Sequence, residues 1–177
     1  MAFNRERFES LVHYVCYRCE NPQQLGKTKL NKILWFSDML HFELTGEPLT
    51  GESYVKLQFG PVPKHIDGAI EGLRAGGKLS VRLPEATYDT TLYFATETPS
   101  LDDFTAEEIS LVDRIIEDVC QNHTAASISR LTHDAIYELA QMGEEIPYEA
   151  FLAAELGEIS EQDVRWARKE LQDASGR

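Results

Sequence analysis

The chain has 177 residues, 42% hydrophobic and 27% charged, which suits one self-sufficient domain spanning 1–177 and excludes a disordered tail. Its net charge of -13 argues against non-specific nucleic-acid binding, because that affinity comes from Lys and Arg neutralising phosphates. No apolar run approaches the roughly 18 residues of a membrane span and the first residues lack the apolar centre of a signal peptide, so a cytoplasmic protein with no membrane partner is expected.

Asn4 to Arg18 places Phe8, Leu11, Val12 and Val15 at helical spacing, with Asn4 as N-cap, and Pro22 is expected to end that unit. A second helix is predicted from about Gly26 to Thr45. Its apolar residues run almost all the way round, which marks it as central, and Gly46 supplies the stop. Ser53 to Phe59 alternates as a short extended segment. Gly60-Pro61-Val62-Pro63 then reads as a stiff elbow, with Pro63 starting a helix through Leu73. Lys78–Leu83, with Leu79, Val81 and Leu83 inward, and Thr90–Thr96 form an expected antiparallel hairpin. The string Thr105-Ala-Glu-Glu108 has the capping-box pattern and opens a helix that ends near His123. Further helices are predicted over Ala125–Leu131, Thr132–Met142 and Pro147–Leu156, with Ser160 capping a last one in a C-terminal helical extension over 158–177. The fold class is therefore α+β, predominantly α-helical, a helical domain with a small antiparallel sheet or hairpin.

Charge is unevenly spread: residues 1–82 are net +2 and residues 83–177 net -15. This half is either a solvated surface or a face that steers a basic partner. Lys27, Lys29 and Lys32 form one local basic cluster, expected to face water or an acidic partner. The apolar residues around the proline elbow and the hairpin are the expected docking surface.

Three cysteines in a chain of this length fit free thiols in a reducing compartment. Cys16-x-x-Cys19 with Cys120-x-x-His123 could supply a Cys3His zinc site, but the glycine-bearing turns that usually carry such pairs are missing, so buried thiols and no metal are favoured. No cofactor is called for. Ser37-Asp38, His41 and His133-Asp134 contain the residue types of a nucleophilic triad. Without a Gly-x-Ser-x-Gly elbow or a glycine-rich phosphate loop, they assign no catalytic residue. The pairs Glu107-Glu108 and Glu144-Glu145 fit the acidic preference of helix N-termini better than acid–base work.

The order Lys29-Leu30-Asn-Lys-Ile-Leu-Trp35-Phe-Ser-Asp38, then Leu44-Thr-Gly-Glu-Pro-Leu49, then Phe59-Gly60-Pro61-Val-Pro63 resembles the Panacea domain, the SocA-like antitoxin domain. Ile128-Ser-Arg-Leu-Thr-His133 resembles its later Leu-Ser-x-x-(Ser/Thr)-His element. The resemblance covers about residues 5–152. It implies a bacterial or prophage antitoxin that neutralises a cognate toxin protein by direct stoichiometric binding, with the acidic second half favouring a basic toxin. The alternatives are an enzyme or metalloprotein using His133 or the Cys16, Cys19, Cys120 and His123 set, or a phage-encoded regulator that binds a host protein. Lys29, Leu30, Trp35, Asp38, Gly60, Pro61, Pro63 and His133 are the motif positions, structural or partner-binding.

Overall fold

The computed structural model describes residues 2–19, 21–85, 90–132 and 140–149. Among these residues five helices and two small antiparallel sheets make it α+β and predominantly helical, as expected from the sequence. Helix α1 (Arg5–Arg18) is capped by Asn4, whose side chain accepts the Arg7 amide and so satisfies one of the donors left over in the first turn. Helix α2 (Pro22–Thr45) packs against α1, both sheets, α4 (Ala106–Asn122) and α5 (Ala125–Leu131). Twelve of its residues from Leu25 to Met39 are buried, which is why an almost all-round apolar helix is central.

Pro22 does not close the first unit; it is the first residue of α2, where its missing N–H costs nothing. The opening turn is offset from the rest at Gly26, whose φ of 60° and ψ of 169° break the helix. A side chain there would also meet the Thr90 hydroxyl at 2.5 Å.

The predicted proline elbow is a strand. Residues Gly60–Pro63 form β2, antiparallel to β1 (Tyr54–Leu57), with Tyr54 opposite Pro63 and Leu57 opposite Gly60. On its other side β1 pairs with β5 (Glu145–Ile146), giving the order β2-β1-β5. β2 is thus an edge, the one place in a sheet that tolerates two prolines, because residues without N–H leave no ladder bond unmade and discourage further pairing. Helix α3 (Ile66–Ala75) begins after this strand, not at Pro63.

A second hairpin pairs β3 (Leu79–Arg82) with β4 (Leu92–Ala95). Leu79, Leu92 and Tyr93 are buried, but Leu83, expected inward, lies past the strand end and is 71% exposed. Glu144-Glu145 belongs to the β5 approach and not to a helix start. Of the helix predicted over 147–156 only 147–149 are described, with 148 and 149 helical. The end of that predicted over 132–142 is not helical at 140–142, and the rest of both, with the helix from 160 onward, falls outside the described residues.

The main core gathers α1, α2, α4 and the second hairpin around Phe8, Leu11, Leu30, Ile33, Leu34 and Val112. Each fully buried aliphatic side chain of this kind is worth about 1.5–3 kcal/mol. A smaller core of Trp35, Met39, Tyr54 and Ile146 fills the space between α2 and the three-stranded sheet.

Candidate functional site

The motif positions that the structure describes all point inward. Lys29, Leu30, Trp35, Asp38, Gly60, Pro61 and Pro63 are buried and present no side chain for docking. Trp35, Asp38 and the Gly60–Pro63 strand build the contact between α2 and the β1–β2 hairpin, whereas Leu30 belongs to the main core and Lys29 donates to the Cys120 carbonyl of α4. Trp35 meets Tyr54 edge to face, with ring centroids 4.9 Å apart. His133 lies outside the described residues.

Asp38 is the polar centre of this contact. Its carboxylate accepts the Thr50 amide at 2.6 Å, the Thr50 hydroxyl at 2.8 Å and the Tyr54 hydroxyl at 2.6 Å. Burial raises its pKa to about 6 even though these three donors favour the charged form. The side chain therefore pins the 46–53 connector and β1 to the middle of α2.

Next to it, the fully buried Glu52 accepts the Ser53 amide and faces His65 Nδ1 at 2.8 Å. Burial pushes its carboxyl upward, and Phe3 stacks on the His65 ring at 4.4 Å. Tyr148 donates its hydroxyl to the Glu52 carbonyl. None of Glu52, His65 and Tyr148 carried a sequence signal, because they meet only through the loop and the β1–β5 pairing.

The expected solvent-facing lysine cluster is overturned for two of its three members. Lys27 stays outside, 3.5 Å from Asp67, but Lys29 and Lys32 are buried. Lys32 reaches under β2 and donates to the Pro61 carbonyl at 3.4 Å. Gly60, at φ 106°, leaves the room: a Cβ there would lie 1.9 Å from Lys32 Nζ and 2.5 Å from the Thr132 hydroxyl. Burial lowers the Lys32 pKa to about 7. Sequence spacing did not reveal this because the apolar arc of α2 is so wide that its lysines turn inward as well.

Of the Cys/His set, only Cys19 and Cys120 come together, with sulfurs 3.3 Å apart. His123, at the C-cap of α4, faces Asp118 and Ser127 instead. No cluster of three or more metal-ligating side chains forms among the described residues. Among the described residues the triad ingredients do not meet: Ser37 donates to the Ile33 carbonyl, and His41 faces Glu108 and the Glu47 carbonyl, while His133 and Asp134 lie outside the described residues.

Two apolar places stand out among the described surface residues. At the β1–β2 turn Leu57 and Phe59 are exposed, and Gly143, next in sequence to the exposed Met142, donates its amide to the Lys56 carbonyl there. The second is a groove of about 430 Å³ between the end of α2 and the start of α4, lined by Leu44, Ala106, Glu107, Ser110, Leu111 and Arg114. Leu44 is 73% exposed there. Exposed Glu43 precedes it on α2, and exposed Asp102 and Asp103 precede α4.

The model of the SocA-like antitoxin, Panacea domain matches residues 30–136, more than half of the chain and including α2 from residue 30 on, both hairpins and α4. The chain belongs to this family. No curated protein and no solved structure matches it. The Panacea match covers Lys32, Asp38, Glu52 and the Gly60–Pro63 strand, while Phe3, Lys29, β5 and Tyr148 lie outside it. An antitoxin family implies a toxin partner in general and speaks for a non-enzymatic role. Among the described residues no helix is long and apolar enough to cross a membrane.

Proposed function

We propose that this Panacea protein is a cytoplasmic antitoxin that neutralises a cognate toxin by direct stoichiometric binding, and that the Leu44 groove receives an apolar segment of that toxin flanked by basic residues. Family membership is the observation that carries the reading. The choice of groove rests on charge complementarity. An exposed leucine in a cleft gives apolar area to desolvate. Glu107 on its wall, with exposed Glu43, Asp102 and Asp103 next in sequence to its lining elements, outnumbers the one lining cation, Arg114, and favours Lys and Arg on the partner. The buried motif residues act at one remove, by holding α2 and the connector that follows it in place.

The test is co-expression with the protein encoded by the neighbouring reading frame, followed by co-purification. Growth rescue with a one-to-one complex is the expected result, and Leu44→Asp should weaken the complex at least tenfold without changing the unfolding midpoint. A harmless neighbour, or a toxic one that is neither rescued nor bound, overturns the antitoxin reading. Loss of binding on Phe59→Asp with Leu44→Asp unaffected would move the contact to the β1–β2 turn.

A further inference from the structure

Cys19, at the C-cap of α1, and Cys120, in the last turn of α4, are far apart in the chain, yet their sulfurs lie 3.3 Å apart. A separation this short places the thiols in direct contact, and although both residues are largely buried, at 5% and 9% exposure, they lie at the wall of a surface cleft. Both residues line an open cleft of about 330 Å³ whose other walls include Arg18, Gln24, Asp113 and Gln121. All three cysteines belong to the main core, but the third thiol, Cys16, does not line that cleft.

We propose that Cys19 and Cys120 form a redox-active dithiol that is oxidised to a disulfide by low-molecular-weight disulfides entering this cleft. The two sulfurs have different roles. Cys120 is assigned the attacking role on geometry: the Lys29 amine donates to its carbonyl at 3.3 Å, whereas the Cys19 thiol has an acceptor of its own in the Asn21 carbonyl at 3.5 Å. The hydrogen bond shared with Cys19, in which either thiol can donate, together with Lys29 lowers the Cys120 pKa against the opposing effect of burial. Cys19 is held above its ordinary value, first by that same hydrogen bond and then by burial. Cys16 is pushed up by burial alone, which keeps it protonated and inert.

In the first step the Cys120 thiolate attacks one sulfur of the small disulfide, whose S–S bond breaks. One small thiolate leaves and takes up a proton, and the other half stays on Cys120 as a mixed disulfide. Cys19 then gives up its proton and attacks the Cys120 sulfur, forming the Cys19–Cys120 bond and expelling the second small thiol. The protein pair loses two electrons and two protons, and the small disulfide gains them. The new bond ties the end of α1 to the end of α4.

The test uses the full, reduced chain incubated with oxidised glutathione, followed by intact-mass measurement and peptide mapping. The expected result is a loss of about 2 Da, a Cys19–Cys120 cross-linked peptide, and Cys16 still open to alkylation after unfolding. Cys19→Ser should instead hold one glutathione on Cys120. Because a buried cysteine variant can fail to fold, the wild-type map decides by itself. Three free thiols at a strongly oxidising glutathione ratio, a stable glutathione adduct on the wild type, or a bond that includes Cys16 would each overturn the proposal.

Discussion

Lys32 has the largest consequence for a single side chain. An ammonium placed among the apolar residues of α2, with one carbonyl acceptor at 3.4 Å, loses much of its hydration, and its pKa falls from 10.5 to about 7. The folded state thus binds fewer protons than the unfolded one between pH 7 and 10.5, and stability rises with pH across that window. It is lost again as pH falls through about 7. Lys32→Met, which keeps the length and removes the charge, should flatten this rise. The expected difference between wild type and variant is up to about 1.4 kcal/mol per pH unit in denaturant unfolding between pH 7 and 9. Parallel curves for the two proteins would show that Lys32 titrates as it does in water. Asp38 has the opposite sense. Its raised pKa of about 6 means that its contribution is present below pH 3.8 and is lost as pH rises to about 6.

Among the elements, α4 is the one whose start was legible in detail, because a capping box is a local device that needs no partner from elsewhere. Thr105 accepts the Glu108 amide at 3.2 Å, and Glu108 accepts the Thr105 amide at 2.8 Å. Glu108 then does more than cap: it pairs with Arg7 of α1 and lies 3.3 Å from His41 of α2. Thr105→Ala should therefore cost about 1 kcal/mol in urea unfolding, and Thr105→Ser almost nothing. The Gly60–Pro63 segment is the contrasting case. Two prolines within four residues indicate a stiff turn when only the chain is considered, and they are equally suited to an edge strand once β1 lies beside them. Which of the two forms depends on Tyr54–Leu57 being presented on one side and the Lys32 amine filling the space beneath Gly60.

At the scale of the whole molecule, the charge asymmetry has a surface to act from. Exposed Asp102, Asp103, Glu107, Glu117 and Asp118 lie on α4 and the turn before it, the element that forms one wall of the Leu44 groove. Steering by such a face accelerates encounter and is screened within about 10 Å at 0.1 M salt. The association rate with a basic toxin should fall at least tenfold between 50 and 500 mM salt, while the dissociation rate changes little. Stopped-flow measurement of both rates checks this, and a salt-independent association rate would separate the acidic surface from partner binding.

By itself the sequence determined the helical scaffold, the capping box, the β3–β4 hairpin and the family, since each rests on spacing or on residues close together in the chain. It placed Trp35, Asp38 and the Gly60–Pro63 residues among the positions that matter, without deciding whether they face inward or outward. Only the tertiary structure decided that Lys29 and Lys32 are buried, that β5 completes a sheet with β1, that His65 meets Glu52 and that Cys19 touches Cys120. The reason is physical. A helix or a cap is set by interactions within a turn or two, whereas the environment of a charged or thiol group depends on which distant segment packs against it, and periodicity in one segment carries no information about the other.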